Sequence, residues 1–313
     1  MDIIQVNFTE YKKILPSPYN VFCTADFNEL NRGKCETMHY LLFKGLKYRL
    51  GIIGGINNHT FFSPSSAPYG GFSFFRNDIS IQYIEEAVST LNNWAISENL
   101  SSINITLPPN IYNTSFITKQ TNCLLRDGYE IARNDLNYHF NLDNFNEDYP
   151  ATMWHNARSN LRIALTAGLT FEKCDSPEGK LHVYEIINRN KIAKGVPMRM
   201  QWYQIEETIK VVPTDFFLVH DKDDNAIASA IVFHASQHIV QIIYWGDLRE
   251  YSGYKPMNYL SYKIFEYYKA EGMKIVDLGP SSDNSIPNYG LGEFKESIGC
   301  EIGSKLSFTK KID

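Results

Sequence analysis

Two arginines spaced four residues apart are the first groups in this sequence whose types and spacing suit a chemical task. Arg158 and Arg162 lie in the stretch NARSNLRIALTAGLTFE, whose apolar spacing predicts a helix over residues 156–167. That spacing puts both guanidinium groups on one face of the helix, where their planar donors can hold a phosphate group. A solvated helix face that binds nothing is the alternative interpretation, and the sequence leaves both open.

A lysine near the carboxyl end of the chain is the second candidate. Lys295 lies in GEFKESIG, within a helix predicted over residues 291–298 that follows a glycine-rich loop at 288–292. The loop in turn follows a predicted core strand at 274–279. Open α/β sheets place their ligands beyond the carboxyl ends of such strands, so Lys295 is predicted to lie near a ligand.

The direction of the Lys295 side chain decides its role. Phe294 and Ile298 are four residues apart, so we expect both to face the core. Lys295 then lies at the flank of that face, where its long stem can reach a ligand. Its ammonium group would steady a carboxylate, a phosphate or the charge that develops on a carbonyl oxygen. The alternative is a surface lysine paired with Glu293 or Glu296.

The segment SSAPYGGF, residues 65–72, carries a tyrosine and two glycines after a short predicted strand. Gly70 and Gly71 permit backbone conformations that other residues avoid, and they let a second group approach the main chain closely. The segment, with Tyr69, therefore predicts either a plain turn or one wall of a substrate site.

Composition limits the class of protein. The chain has 313 residues, 43% hydrophobic and 21% charged, which is typical of a globular protein of one or two domains. A net charge of −5 argues against a protein that holds DNA by overall attraction. The five cysteines show neither disulfide nor metal spacing, and no signal peptide or membrane-spanning run occurs. We therefore expect a cytoplasmic protein without a bound metal and without membrane insertion.

The elements that must position these residues occur in the same order twice. Each half is predicted to contain a hairpin, a strand, a helix, a strand and a short helix. In the first half these lie at 37–54, 59–63, about 81–95 (capped by Asp78 or Ser80), 101–109 and 117–126. In the second half they lie at 216–234, 238–247, 256–271, 274–279 and 291–298.

Both short helices are followed by the same residues, Gly-x-Glu-Ile, at 128–131 and 299–302. With the repeated order, this predicts a duplicated α/β (α+β) fold. Each unit would be a central mixed β-sheet flanked by helices, with a cleft between the two units. The domains are predicted as residues 1–145 and 146–313, joined in the polar stretch DNFNEDYP.

Four stretches resemble the Fem-type branch of the GNAT acyltransferase superfamily, the peptidoglycan-bridge aminoacyltransferases and their relatives. They are SAPYGGF, NARSNLRIALTAGLTFE, GYKPMNYLSYKIFEYYKAEGMKIVDLGP and NYGLGEFKESIG, and they span most of residues 66–310. The resemblance implies two tandem GNAT domains that transfer an acyl or aminoacyl group to an amine. It implies a small molecule or a cell-wall precursor as acceptor. The long coiled-coil arm of staphylococcal-type members is not expected, since no sustained heptad run occurs.

The resemblance also implies where the reaction takes place. In the GNAT fold two central strands splay apart, and the donor carbonyl lies in the gap. The matching strand ends here are YWGD and DLG, so Asp247 and Asp277 are the candidates that take a proton from the attacking amine. Tyr289 is the candidate acid toward the leaving group, and Trp245 and Phe294 would bind substrate. A turn carboxylate and a packed tyrosine are the plain alternatives for Asp277 and Tyr289.

The donor is left open between aminoacyl-tRNA and acyl-CoA. GNAT enzymes that use acetyl-CoA hold its pyrophosphate on the amides of a glycine-rich turn before a helix. The matching stretch, REYSGYKPMNYL, has Gly253 alone, which favours aminoacyl-tRNA, whereas the acidity of the chain opposes it. Two further functions compete: a non-catalytic, degenerate GNAT module that binds an acceptor, and a CoA-dependent N-acetyltransferase.

Overall fold

A computed structural model describes residues 1–312 and divides into two compact units. The first unit contains residues 1–136, residues 282–286 and the chain from Gly303 onward. The second contains residues 137–281 and 287–302. Each unit is therefore built from more than one segment of the chain, whereas the predicted domains are contiguous.

Helices and strands alternate along much of the chain. The strands are β1 (Asp2–Val6), β2 (Thr37–Lys44), β3 (Tyr48–Asn57), β4 (Thr60–Ser63), β5 (Ser73–Phe74), β6 (Ser102–Thr106), β7 (Glu130–Asn141), β8 (Thr170–Lys173), β9 (Thr214–His220), β10 (Ala226–His234), β11 (Ile239–Asp247), β12 (Ile275–Pro280), β13 (Ser282–Asp283), β14 (Ile286–Pro287) and β15 (Glu301–Lys311). The helices are α1 (Phe8–Ile14), α2 (Ala25–Leu30), α3 (Ile81–Ser97), α4 (Thr114–Arg126), α5 (Tyr149–Thr152), α6 (His155–Thr166), α7 (Pro177–Ala193), α8 (Trp202–Thr208), α9 (Pro256–Ala270) and α10 (Tyr289–Ser297).

Each unit has a mixed sheet with one parallel pair of strands. In the first unit the order is β1-β2-β3-β4-β6-β15, β5 pairs with β3, and β4 and β6 are parallel. In the second unit the order is β7-β12-β11-β10-β9-β8, and β11 and β12 are parallel. A parallel pair needs a crossover connection, and α3 and α9 provide it. The predicted α/β class and the repeated order of elements are confirmed.

The two short helices α4 and α10 end in the same way. The backbone N–H of Tyr129 donates to the carbonyl of Leu124 at 3.0 Å, and that of Cys300 donates to the carbonyl of Lys295 at 3.1 Å. The glycine of each Gly-x-Glu-Ile repeat has a left-handed φ, +83° and +86°, which is the usual end of a helix that closes with such a bond. Lys295 therefore occupies in the second unit the helix position that Leu124 occupies in the first.

A buried carboxylate ties four elements of the second unit together. Asp215, on β9, lies 2.7 Å from His234 Nε2 on β10 and accepts hydrogen bonds from Tyr268 (2.8 Å) on α9 and Lys173 (2.7 Å) on β8. Burial opposes ionisation, but the hydrogen bonds from these three partners outweigh it and lower the pKa of Asp215 to about 2. This network anchors the outer strands of the sheet.

None of the helices within residues 1–312 combines the length and the apolar character that crossing a lipid bilayer requires.

Candidate functional site

The two central strands of the second unit separate after a short stretch of pairing. β11 and β12 pair at three positions, the last being Gln241 opposite Asp277. β11 then continues to Asp247 beside β10, and β12 continues to Pro280 beside β7. A β-bulge at Ile243 lies just past the last pair and increases the local twist of β11. We call the space between residues 242–247 and 278–280 the strand gap.

The corresponding place in the first unit is closed by the chain itself. The parallel pair of β4 and β6 ends at Ser63 opposite Ile105, where β4 also ends. The N–H of Gly70 donates to the carbonyl of Thr106 at 2.8 Å, so the main chain at Gly70 lies against the end of β6. Internal hydrogen bonding thus connects the main chain to the end of β6, whereas in the second unit the pairing of β11 with β12 ends at Gln241 and Asp277.

Packing inside the first unit accounts for the glycines of SSAPYGGF. A Cβ atom at Gly70 would lie 2.7 Å from Pro64 N, and one at Gly71, whose φ is +85°, would lie 2.7 Å from a methyl group of Leu107. Tyr69 is fully buried, with its ring centroid 4.9 Å from that of Phe22. A role of Tyr69, Gly70 and Gly71 in substrate binding stays a prediction.

Lys295 lies at the end of β12, beside the strand gap. Its side chain is 1% exposed, and Nζ donates to the carbonyls of Leu278 and Gly279 at 2.9 Å and of Pro280 at 3.3 Å. Burial lowers the pKa of Lys295 to about 8, although the charges of nearby Cys300 and Asp277 act in the opposite direction.

The expected direction of the Lys295 side chain was wrong. Lys295 is buried while Phe294, which we expected in the core, is half-buried. The pairing of Lys295 with Glu293 or Glu296 at the surface is also wrong. The physical reason is that the end of β12 presents three carbonyl oxygens to this helix position. A buried ammonium group can donate to these oxygens, whereas an apolar side chain would leave them without a hydrogen bond.

Aromatic rings flank the lysine. Trp245 on β11 and Phe294 on α10 meet edge to face, with centroids 5.8 Å apart. Lys295 Nζ lies 5.3 Å from the ring centroid of Tyr138 on β7, within the range of a cation–π contact. The Tyr138 hydroxyl in turn donates to Glu296 at 3.0 Å. Sequence reasoning missed Tyr138 and its bond to Glu296, because β7 lies far from α10 in the chain and no local motif marks the contact.

Of the two predicted carboxylates, Asp277 is enclosed. Its side chain is 0% exposed, and it accepts hydrogen bonds from the side chains of Asn137 (2.8 Å) and Gln241 (3.0 Å) and from the N–H of Gly279 (2.9 Å). The last bond is the turn interaction that the sequence offered as the alternative. A general-base role for Asp277 would require its release from these donors.

Asp247 is the more accessible carboxylate. It is half-buried at the end of β11, and Asn190 donates to its backbone carbonyl at 2.6 Å. Burial raises the pKa of Asp247, and the charge of Lys194 opposes that shift. A raised pKa makes a carboxylate a better proton acceptor. A general-base role for Asp247 stays a prediction, with which the direction of this shift agrees.

Among the described residues 1–312, the arginine pair and Tyr289 find no partner for their charged or polar ends. Arg158 is half-buried and Arg162 exposed on α6, and within residues 1–312 neither guanidinium group forms a hydrogen bond or an ion pair. Tyr289, the first residue of α10, is 76% exposed. Their roles in anion binding and in acid catalysis stay predictions.

Replacing Arg158 and Arg162 together with glutamine tests the anion site. If they hold a phosphate, substrate affinity should fall about tenfold and become less dependent on salt, because screened charge contacts are lost. The melting temperature should stay near the wild-type value, because within residues 1–312 neither guanidinium group has a partner to lose. Unchanged affinity in titrations at low and high salt would show that the two arginines belong to a solvated helix face.

A group of three cations beside β11 was found from the sequence only in part: Arg189, Lys191 and Lys194 indicated a basic helix end, and Arg199 was missed. Burial lowers the pKa of Lys191, and the charges of Lys194 and Arg199 add to the shift, so both of these cations lie within electrostatic range of Lys191. Within residues 1–312 none of the three has an ion-pair partner, whereas nearby Arg189 pairs with Glu250 at 3.0 Å. Lys191 and Lys194 lie at the end of α7, whereas Arg199 lies in the loop after it, where no helical periodicity predicts its position.

Comparison with known proteins rests on structure. No family model matches the sequence, and no curated protein is significantly similar to it. The crystal structure of FemX superposes with a TM-score of 0.72 and 13% identity, covering 99% of this chain and 97% of that chain. The C-terminal domain of a provisionally named lysylphosphatidylglycerol synthetase from Agrobacterium fabrum gives 0.62 and 11%, covering 97% and 92%.

A third similar structure is a tandem GNAT protein from the clavulanic acid biosynthesis pathway. It superposes with a TM-score of 0.54 and 8% identity, covering 100% of this chain and 98% of that chain. At such identities the similarity establishes the fold alone. The element order, the single parallel pair in each unit and these superpositions together show that this chain has the Fem-like tandem GNAT fold.

Proposed function

We propose that this protein is an acyltransferase of the Fem-like GNAT type, which transfers an acyl or aminoacyl group to the amine of an acceptor. The observation that carries the proposal is the strand gap of the second unit, bordered by Lys295, Asp247 and the Trp245–Phe294 pair. In the first unit Leu124 occupies the position of Lys295, and the main chain at Gly70 is hydrogen-bonded to the end of β6. We therefore assign the reaction to the second unit.

The reaction needs a base, a place for developing charge and an acid. The acceptor amine attacks the donor carbonyl carbon, a C–N bond forms, and the C–O bond of an ester or the C–S bond of a thioester breaks. Asp247 takes the proton that the amine loses, and the leaving oxygen or sulfur gains one, with Tyr289 as the candidate donor. The enclosed Asp277 is less suited to the first step.

Lys295 acts chiefly by its charge. Its three Nζ hydrogens are engaged with three carbonyl groups, so a substrate oxygen could bond to Nζ only by replacing one of them. The bond to Pro280, at 3.3 Å, is the longest and is the one that a substrate oxygen would replace. A cation held in a buried site stabilises negative charge on the donor carbonyl without reorganisation at the moment of reaction.

The start of α9 supports an aminoacyl ester as donor over a CoA thioester. A pyrophosphate at that helix start would need backbone N–H groups, but the first residue of α9 is Pro256, which has none. The preceding residue, Lys255, has a left-handed φ of +56° and carries a side chain where CoA-binding turns use glycine. We therefore favour aminoacyl-tRNA, which would place the reaction in the cytoplasm.

The acceptor is proposed to carry phosphate. Three unpaired cations close together repel one another, and a phosphorylated ligand would relieve that repulsion. Lys194 acts electrostatically on Asp247, and Arg199 acts on Tyr244, so the cluster reaches the end of β11 that borders the strand gap. A phosphate-bearing cell-wall precursor would meet this requirement and agrees with what the resemblance of the sequence to the Fem-type branch implies.

Replacing Lys191, Lys194 and Arg199 with glutamine tests this assignment. The KM for a phosphorylated acceptor should rise about 100-fold, because several charge-assisted contacts are lost, and its dependence on salt should weaken. The kcat at saturating acceptor should change much less. Arg189→Gln, which removes a neighbouring cation already paired with Glu250, is the matched control. An unchanged KM would contradict the proposal that the acceptor carries phosphate.

A transfer assay tests the proposed function itself. The protein would be incubated with labelled bulk aminoacyl-tRNA or labelled acetyl-CoA and a panel of UDP-linked sugars and peptides bearing amines. We expect label to move from aminoacyl-tRNA to an acceptor amine. Transfer from acetyl-CoA would instead indicate an N-acetyltransferase. Acceptor binding without transfer from either donor would refute the proposal. It would support a non-catalytic binding module, a function that the internal hydrogen bonds of Lys295 and Asp277 also favour.

A further inference from the structure

A buried carboxylate marks the point where β7, β11 and β12 meet. Asp277 lies at the last pair of β11 and β12, and its three donors come from these three strands. We propose that Asp277 is a positioning residue for the transfer reaction: it folds the end of β12 so that three carbonyl groups converge on Lys295, and it fixes the point at which the strand gap opens. This inference rests on the proposed function of the same site.

The first part of the argument concerns the turn after Asp277. In a regular strand, successive carbonyls point in opposite directions, so three consecutive carbonyls cannot meet one ammonium group. Here the N–H of Gly279 donates to Asp277 at 2.9 Å, Gly279 takes a left-handed φ of +72°, and the pairing of β12 with β7 shifts register between the two residues. The carbonyls of residues 278–280 then all reach Lys295 Nζ.

The second part concerns the neighbouring strands. Gln241 is the last residue of β11 that pairs with β12, and Asn137 on β7 lies opposite Pro280. Their side-chain amides donate to the two different oxygens of Asp277, at 3.0 Å and 2.8 Å. The carboxylate therefore links all three strands at the residue where β11 leaves β12, and it holds the edge of the strand gap in place.

The arrangement is poor for stability, which points to a functional reason for it. With their nitrogens turned to Asp277, the amide oxygens of Asn137 and Gln241 are buried and have no hydrogen-bond partner within residues 1–312. A buried polar atom without a partner costs about 1–3 kcal/mol, and an apolar cluster of the same shape is often at least as stable. A carboxylate here is explained by what it does to Lys295 and to the strand gap.

Several groups determine the charge state of Lys295. Burial opposes the protonated form of Lys295, whereas Asp277 and Cys300 favour it. The ring centroid of Tyr138, whose hydroxyl is bound to Glu296, lies 5.3 Å from Lys295 Nζ. Removing the negative charge of Asp277 alone should therefore lower the pKa of Lys295. That sign is specific to a charge near the ammonium group, since a general loosening of the core would admit water and raise the pKa toward its ordinary value.

Asp277→Asn tests the inference in the full-length protein. We expect the pKa of Lys295, followed by NMR of 15N-labelled lysine side chains, to fall by at least about half a unit. The kcat of transfer should fall at least about tenfold with the KM for acceptor within about twofold, because the loss affects the transition state. Asp215→Asn is the control, since Asp215 is a buried carboxylate of the same unit with three donors. It should lower stability and leave the titration of Lys295 unchanged.

Equal titration curves and equal kcat values in the two variants would overturn the inference. If Asp277→Asn does not fold, Gln241→Met removes one donor without removing the charge, and it should lower kcat while Lys295 titrates nearly as in the wild type. Hydrogen exchange of the Gly279 N–H in the wild-type protein gives a further check, and fast exchange would contradict the turn. The titration of Lys295 and the hydrogen exchange of Gly279 can be measured in an inactive protein. A negative result in either one can therefore be distinguished from a failure of the proposed function.

Discussion

Lys295→Met is expected to abolish transfer and to destabilise the second unit at the same time. The methionine keeps the apolar stem but leaves three carbonyl groups buried near the end of β12 without their donor. Each unsatisfied group costs about 1–3 kcal/mol, so we expect the free energy of unfolding to fall by at least about 2 kcal/mol. Loss of the cation should lower kcat at least about 100-fold, as removal of an oxyanion-stabilising group does.

The control for this variant must separate inactivity from unfolding. Asp215→Asn should destabilise the same unit by breaking a network of similar size, with transfer retained below its melting temperature. Both variants would be assayed at a temperature where denaturant titrations show them folded. Normal transfer by folded Lys295→Met would restrict Lys295 to a structural role.

The charge of Lys295 also gives the wild-type protein a specific dependence of stability on pH. Its pKa is about 8 when folded and 10.5 when unfolded, so the unfolded state binds more protons between these values. Stability should therefore rise as pH increases from 8 to 10.5, by up to about 3 kcal/mol from this residue. Subtracting the curve of Lys295→Met removes the contributions of other groups. Parallel wild-type and variant curves over this range would contradict the lowered pKa.

Asp247→Asn carries the second large expected effect. Asparagine preserves the shape of the side chain but cannot accept the proton of the attacking amine, so kcat should fall about 100- to 10,000-fold. The backbone carbonyl that Asn190 binds remains, and the melting temperature should change little. Because the pKa of Asp247 is raised, the wild-type activity should fall on the acid side at a higher pH than an ordinary aspartate would give.

An exposed carboxylate three residues along the chain provides the matched control. Glu250 is solvent-exposed and pairs with Arg189, so Glu250→Gln should leave both kcat and its pH dependence unchanged. Activity of Asp247→Asn equal to that of Glu250→Gln would exclude Asp247 as the base.

The repeated architecture was determined by local features of the sequence. Ser80 begins α3 as one of the two predicted caps, and Gly128 and Gly299 end their helices in the left-handed conformation that favours glycine. Strand alternation and turn residues marked the hairpins, and the resemblance of four stretches indicated the Fem-like GNAT fold that the superpositions support. These signals depend on neighbours within a few residues, so one sequence is enough to read them.

The tertiary structure alone decided how the candidate residues are used. Lys295 is buried because three carbonyls of β12 meet it, and Asp277 is enclosed because Asn137 and Gln241 reach it from other strands. Arg199 acts on Lys191 only because the loop after α7 brings it near the end of that helix. Helical and strand periodicity specify which face of an element a residue occupies. They do not specify which distant polar groups that face will meet, and those groups set the burial, the pKa and the accessibility on which chemistry depends.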